Sequence, residues 1–246
     1  MYDAIQAETV TIGGHGGDRI EAYLARPLAP GPMGGVVVIH HMPGYDQWSK
    51  EVTRRFATVG LMAVCPNLYS REAPGASPDD AAAAARAAGG VPDDRLVGDV
   101  AGAAAYLREL TASNGKVGVI GYCSGGRQSF LAACNVKLDA AVDCYGAFVT
   151  GTPAPGFPLK VTPVIDQAPN LTCPVLGLFG YDDQYPSPEH VDELEAELTR
   201  LGKPFELHRF DGAGHGFFAV DRPSYRPEAA VEGWGYVDTF FGTHLS

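Results

Sequence analysis

A short apolar run that ends in a glycine-flanked cysteine constrains this chain more than any other stretch. Residues 117–120 have the character of a buried strand, and they lead into Gly121-Tyr122-Cys123-Ser124-Gly125. Residues 128–133 then have the composition of a helix. A strand, a sharp turn and a helix around the pattern Gly-x-nucleophile-x-Gly predict a nucleophile elbow, with cysteine in place of the usual serine. Small residues flank the turn because the strand and the helix approach each other closely there.

The same pattern also fits a buried cysteine beside a glycine-rich turn, since cysteine often packs as a small apolar side chain. In an elbow the sulfur would instead lie at a helix N-terminus, where free N–H groups and the helix dipole favour a thiolate. Ser124 is not the nucleophile in this frame, because the residue two positions before it is Tyr122 rather than glycine.

Length, charge and cysteine usage narrow the class of protein. A chain of 246 residues suits a single α/β domain over 1–246, and 46% of it is hydrophobic. The net charge, 18 − 29 = −11, argues against nucleic acid and anionic membranes as partners. We find no apolar run of about 20 residues and no signal-peptide pattern. Five cysteines without a Cys-x-x-Cys pair suggest neither a disulfide framework nor a zinc site. We expect a cytoplasmic monomer or homodimer without a metal.

The order of predicted elements indicates the fold class. Strands are predicted at 35–40, 61–65, 140–144, 175–179 and 205–210, besides the strand of the elbow, and those at 35–40, 61–65 and 175–179 have the character of buried strands. Helices are predicted at 47–59, 93–110, 188–201 and 228–241. This alternation predicts a mainly parallel central sheet with helices on both faces. Strands at 9–12 and 19–26, joined by a glycine-rich loop, predict an antiparallel N-terminal edge. Residues 69–92 form either a lid-like insertion or a poorly packed surface helix.

Candidate partners for the cysteine follow two later strands, because functional groups of open α/β sheets gather beyond the C-terminal strand ends. Asp182 and Asp183 follow the strand at 175–179, and His215 follows the strand at 205–210. The order nucleophile, acid, histidine is that of the α/β-hydrolases. Alternatively, His215 is a solvated loop residue and either aspartate a turn residue. The spacing does not decide between the two aspartates.

Five motifs together resemble the dienelactone hydrolase, or carboxymethylenebutenolidase-like, family of α/β-hydrolases over nearly the whole chain. They are Gly121-Tyr122-Cys123-Ser124-Gly125-Gly126, Cys65-Pro66-Asn67-Leu68-Tyr69, Gly180-x-x-Asp183, Gly212-Ala213-Gly214-His215-Gly216-Phe217 and Pro223-Ser224-Tyr225. The resemblance implies a Cys123–His215–Asp183 triad. It also implies an oxyanion hole formed by the backbone N–H groups of Ser124 and Met42. No cofactor is implied.

The resemblance and the loop positions also suggest residues that contact the substrate. Tyr145 matches a pocket tyrosine of the family, and Arg71 matches an arginine that binds the substrate carboxylate in the namesake enzyme. We expect an aromatic pocket suited to aryl or unsaturated acyl groups. Its predicted members are Tyr45, Trp48, Tyr122, Tyr145 and Phe217.

Two positions depart from the family pattern. The best-known members carry a glutamate where this chain has His41, and a second carboxylate-binding arginine where it has Ala219. A protonated His41 would favour the thiolate of Cys123 more than a glutamate does. Alternatively, His41 points into the core or only lines the pocket, and Arg71 is a surface residue. No metal site is expected at His40 and His41, since adjacent strand residues face opposite ways.

The sequence therefore predicts a hydrolase of small carboxylic esters or lactones that acts through a cysteine thioester. Three alternatives remain open at this point. They are a hydrolase of other activated esters, such as aryl or phosphoryl esters, a non-catalytic α/β-hydrolase-like binding protein, and a redox-sensing thiol protein.

Overall fold

The computed structural model describes residues 4–246, so the first three residues of the predicted domain 1–246 lie outside the described part. Eight strands form one sheet in the order β1-β2-β4-β3-β5-β6-β7-β8. Their bounds are β1 (Ile5–Gly13), β2 (Arg19–Pro27), β3 (Met33–Ile39), β4 (Met62–Pro66), β5 (Ser113–Tyr122), β6 (Ala140–Cys144), β7 (Val175–Gly180) and β8 (Phe205–Phe210).

Six α-helices accompany the sheet in the described part of the chain. They are α1 (Gln47–Thr58), α2 (Pro78–Ala88), α3 (Asp93–Glu109), α4 (Ser124–Asn135), α5 (Pro188–Arg200) and α6 (Pro227–His244). None of the helices within residues 4–246 combines the length and the apolar character needed to cross a membrane.

The predicted fold class is confirmed. All neighbouring strands from β4 to β8 pair in parallel, whereas β1 with β2 and β2 with β4 pair antiparallel and form the N-terminal edge. Every residue of β3, β4, β6 and β7 is buried, as expected for strands covered on both faces.

Strand alternation divides the core between the two faces of the sheet. Within β3, Val37 and Ile39 join a cluster with the apolar side chains of α2, α3, α4 and α5. Val36 and Val38 point the other way, into a cluster with α1 and α6. The two faces thus have separate apolar cores, and the functional loops lie beyond the C-terminal edge of the parallel strands.

The segment at 69–92 contains a helix that is packed rather than loose. Its helix α2 begins after Ser77, whose hydroxyl accepts the backbone N–H of Asp80, and ends at Gly89 in the left-handed conformation. The buried face of α2 consists of Ala81, Ala82 and Ala85, which join the core beside α3. The helix alternative is therefore correct, but the expectation of poor packing is wrong, because small side chains let the helix lie close to its neighbours.

Candidate active site

The predicted elbow is present, with Cys123 at its apex. Strand β5 ends at Tyr122 and α4 begins at Ser124, so a single residue makes the turn. Cys123 has φ 59° and ψ −122°, a left-handed conformation that is costly for a residue with a side chain. A side chain on Gly121 would place its Cβ 1.8 Å from the carbonyl oxygen of Gly125, and one on Gly125 would lie 2.7 Å from that of Ile39. Only glycine fits at either position.

The sulfur of Cys123 faces groups that stabilise its charged form. Burial alone would raise the pKa of this thiol. The hydrogen bond and positive charge of His215, together with the N–H groups of Ser124 and Met42, hold the pKa of Cys123 below its ordinary value. A thiol with a lowered pKa carries more thiolate at neutral pH, and the thiolate is the reactive form.

His215 lies between the cysteine and Asp183. Its Nδ1 is 2.9 Å from Oδ2 of Asp183, whose side chain is only 1% exposed. Although burial alone lowers it, hydrogen bonds to Asp183 and Cys123 raise the pKa of His215 above its ordinary value. Both shifts favour a thiolate beside an imidazolium. The structure also separates the two aspartates that spacing left open, because Asp182 is exposed and Asp183 is buried against the ring.

Met42 is held in position by the turn that follows β3. The buried ring of His40 donates from Nδ1 to the carbonyl of His41, at 3.0 Å, and accepts the N–H of Leu68 at Nε2, at 3.3 Å. Burial lowers the pKa of His40 to about 4, so the ring is neutral and can accept that bond. The hydroxyl of Tyr69 donates to the carbonyl of Met42 at 3.2 Å. These bonds hold the turn in place, and the N–H groups of Met42 and Ser124 are both among the groups that lower the pKa of the Cys123 thiol.

A cavity of about 470 Å³ opens beside the sulfur. Cys123, His215, Asp183 and the two predicted oxyanion residues all contribute to its wall. The rest of the wall is mainly apolar and comes from the long loop after β6 and from the loop after β7. Its principal members are Phe148, Phe157, Leu159, Val161 and Tyr185.

None of the residues predicted to contact the substrate lines this cavity, and the structure corrects their predicted position. They are Tyr45, Trp48, Tyr122, Tyr145, Phe217, Arg71 and His41. Tyr122, Tyr145 and Phe217 are fully buried below the site. The ring of Tyr145 packs against that of His215 in an edge-to-face contact, with 5.2 Å between the ring centroids. Tyr122, adjacent to Cys123, points to the opposite side and packs 4.8 Å from Trp48. The pleat of the strand and the sharp turn send neighbouring side chains in different directions.

His41 is also buried, and its ring is occupied. Its Nε2 is 2.7 Å from Oδ2 of Asp46, and the ring lies 4.7 Å from Trp48. Burial raises the pKa of Asp46, but the bond and charge of His41 outweigh this and lower it to about 2. The groups with the largest effect in lowering the pKa of Cys123 are His215 and the N–H groups of Ser124 and Met42. The comparison with glutamate-bearing relatives remains a prediction.

Arg71 lies away from the cavity in an ion-pair network. Its two terminal nitrogens each lie 2.8 Å from an oxygen of Asp99, and its Nε lies 2.7 Å from Asp18. Asp99 is fully buried, so the guanidinium compensates a charge that water cannot reach. In this structure the side chain is tied to the N-terminal edge and does not face the substrate cavity.

Sequence reasoning missed the wall formed by Phe157, Leu159 and Val161. These residues belong to an irregular proline-rich loop, which has no periodicity to indicate a facing direction. Their apolar character between prolines and glycines was the available signal. Arg127, on the first turn of α4, was also missed; its guanidinium binds Asp93 across the base of the wall. Within residues 4–246, no group of three acidic, histidine or cysteine side chains is arranged to bind a metal ion.

Comparisons with known proteins show which family and fold the chain is similar to. The model of the dienelactone hydrolase family matches residues 20–245. Two bacterial proteins named "Putative carboxymethylenebutenolidase" are similar to the chain. The one from Methylorubrum extorquens is 32% identical over 225 residues, covering 90% of this chain and 76% of that protein. The one from Escherichia coli K12 is 33% identical over 238 residues, covering 94% and 85%.

A solved structure from Klebsiella pneumoniae, named "Putative Dienelactone Hydrolase", superimposes with a TM-score of 0.86. It is 28% identical in sequence, and the match covers 98% of this chain and 99% of that one. The architecture is therefore shared over the whole length of both proteins.

Proposed function

This chain belongs to the dienelactone hydrolase family and is an ester or lactone hydrolase, and we propose that Cys123 is its nucleophile. The observation that carries the proposal is one continuous arrangement at the cavity wall. His215 and the backbone N–H groups of Ser124 and Met42 all lower the pKa of the Cys123 thiol, and Nδ1 of His215 lies 2.9 Å from Oδ2 of the buried Asp183. We propose that the substrate is a small carboxylic ester or lactone.

In the first half of the proposed reaction, the Cys123 thiolate attacks the carbonyl carbon. The carbonyl electrons move to the oxygen, and the N–H groups of Ser124 and Met42 donate to the oxyanion that forms. When the tetrahedral intermediate collapses, the bond from carbon to the ester oxygen breaks. His215 gives the leaving alkoxide its Nε2 proton, and the acyl group remains as a thioester.

In the second half, water attacks the thioester and His215, now neutral, accepts a proton from it. The same two N–H groups bind the second oxyanion, and the thiolate leaves as the acid forms. Asp183 keeps the Nδ1 proton of His215 in place throughout, so that Nε2 faces the sulfur and the water. With a lactone, the leaving alcohol stays attached to the acyl group and the product is a hydroxy acid.

Hydrolysis of p-nitrophenyl acetate tests the proposal. Cys123→Ala and His215→Ala are each expected to lower kcat/KM by more than about 10³-fold. Cys134→Ala, which removes a buried thiol at the far end of α4, serves as the matched control and is expected to retain activity. Mass spectrometry of the acidified reaction should find the acetyl group on the peptide that contains Cys123. Full activity in both site variants would refute the assignment of the nucleophile and base.

The same assay separates the alternative functions. Turnover of a p-nitrophenyl phosphotriester that exceeds turnover of the acetate would favour a phosphoryl ester hydrolase. Binding of esters without turnover would favour a non-catalytic protein. Peroxide-dependent oxidation of Cys123 without turnover would favour a redox role.

A further inference from the structure

The wall of the cavity beside Cys123 carries an aromatic and aliphatic surface. The ring of Phe148 lies 5.0 Å from that of Phe157 and 5.6 Å from that of Tyr185. Leu159 and Val161 continue the surface on the same loop. Phe157 is 38% exposed and Tyr185 41% exposed, so two large rings are left open to the cavity and to solvent. Such a surface favours contact with an apolar group.

The arginine in this wall, Arg127, already forms an ion pair with Asp93. Among the described residues that line the cavity, Arg127 carries the one guanidinium, and there is no lysine. Its terminal nitrogens lie 2.8 Å from each oxygen of Asp93, and it also donates to the carbonyl of Thr162 at 2.8 Å. The side chain is only 5% exposed. A substrate carboxylate would have to displace an established bidentate pair to bind it.

The remaining charges near the sulfur disfavour a second anion. Asp183 and the thiolate of Cys123 lie in the same wall, and the imidazolium of His215 is already paired with both of them. Arg71 is turned toward Asp99 and Asp18, and Ala219 is buried and offers no charge. A carboxylate placed against this wall would therefore lose water without gaining a free cation from the described residues that line it, which is costly. Lys160, on the same loop, lines an adjoining cavity of about 40 Å³ instead.

We infer that the enzyme selects an uncharged ester or lactone whose apolar acyl portion fills the cavity formed by Phe148, Phe157 and Leu159, and that it rejects anionic acyl groups. This inference rests on the proposed function, because it names the substrate class of the same site. The apolar wall supplies affinity, and the absence of a free cation in the described wall supplies the discrimination.

Two p-nitrophenyl esters of equal length test the discrimination. The hexanoate ends in a methyl group, and the monoester of adipate ends in a carboxylate. We expect kcat/KM for the hexanoate to exceed that for the adipate monoester at least tenfold. We also expect it to exceed that for the acetate, because each buried methylene adds a factor of about four. Equal or faster hydrolysis of the adipate monoester would overturn the inference.

A binding measurement keeps the inference independent of turnover. Hexanamide and adipamic acid are compared for their ability to slow the alkylation of Cys123 by iodoacetamide. Hexanamide is expected to protect at concentrations at least tenfold lower, and equal protection would overturn the inference. If neither ester is hydrolysed but hexanamide still protects, the proposed function fails while the apolar selectivity stands.

A charge placed in the wall locates the effect. Leu159 is partly exposed, so an arginine can be accommodated at its position. Leu159→Arg is expected to raise the ratio of kcat/KM for the adipate monoester to kcat/KM for the hexanoate at least tenfold. Leu28→Arg is the matched control, because Leu28 is 61% exposed and outside the cavity wall. It should leave the ratio unchanged. A ratio that responds equally to both variants would show that net charge, rather than the wall, sets the preference.

Discussion

Replacing Asp183 by asparagine isolates the effect of its charge on His215. The variant keeps the size of the side chain, but the surroundings fix its orientation. The backbone N–H of Tyr185 donates to Oδ1 of Asp183 at 2.9 Å, so the amide oxygen of an asparagine must occupy that position. The amide NH₂ then lies where Oδ2 lay, 2.9 Å from Nδ1 of His215. It can only donate, which forces the neutral histidine to carry its proton on Nε2.

This tautomer is the wrong one for the proposed reaction, because Nε2 then has no lone pair to accept a proton. The lost charge alone removes about 1.5 to 3 kcal/mol, or about 10- to 150-fold in kcat/KM. Trapping the tautomer adds to this, and the same change in a serine protease triad costs about 10⁴ in kcat. We therefore expect a loss between about 10²-fold and 10⁴-fold for Asp183→Asn.

The assay is p-nitrophenyl acetate hydrolysis by Asp183→Asn and, for comparison, by Asp182→Asn. The carboxylate of Asp182 is exposed, so its neutral variant is expected to stay within about threefold of the wild type. Thermal unfolding of each variant checks that the fold is intact. If Asp183→Asn keeps kcat/KM within threefold of the wild type, the orientation argument is refuted.

Three further predictions follow from the same geometry. Because the pKa of Cys123 is lowered and that of His215 is raised, kcat/KM should be constant between these two pKa values, and it should fall at pH below that of Cys123 and at pH above that of His215. In a plot of alkylation rate against pH, His215→Ala should move the inflection of Cys123 to higher pH. An inflection unchanged by that variant would contradict the ion pair. Gly125→Ala should lower the free energy of unfolding in urea by more than about 3 kcal/mol, since its Cβ would lie 2.7 Å from a carbonyl oxygen. Gly235 lies in α6 with open space around it, so the matched change Gly235→Ala should raise the free energy of unfolding by up to about 1 kcal/mol. Arg71→Ala should cost about 3 kcal/mol of stability by leaving a buried carboxylate unpaired, with kcat/KM for the acetate unchanged; a raised KM with full stability would return Arg71 to the substrate site.

The site was predicted where its residues follow from local sequence. Cys123 stands in a motif in which Gly121 is required by a contact within the turn and Gly125 by the backbone of Ile39 in the neighbouring strand, so the five-residue pattern was enough to predict the turn. Asp183 and His215 follow the neighbouring strands β7 and β8, and parallel strands bring their C-terminal ends to one edge of the sheet. The choice between Asp182 and Asp183 was not available from spacing, because both are common turn residues.

The direction of side chains was not predictable in the same way. Tyr122 and Phe217 are close in sequence to Cys123 and His215, and Tyr145 directly follows β6, but adjacent residues on strands and tight turns face opposite sides, and all three side chains are fully buried. The sequence also did not decide whether the segment at 69–92 is a lid-like insertion or a surface helix. An alanine-rich helix carries little amphipathic signal, and its burial depends on what packs against it.

The sequence by itself determined the alternating α/β architecture, the elbow and the chain order of the proposed nucleophile, acid and histidine, because these depend on local periodicity and on backbone sterics. Tertiary structure alone decided which side chains face the substrate. It paired Arg71 with Asp99 and Arg127 with Asp93 in ion pairs whose members lie far apart in the sequence. It also folded the proline-rich loop over the sulfur, so that Phe157 and Leu159 form the wall. Charge compensation and loop placement are properties of the packed molecule, and they set the character of the cavity.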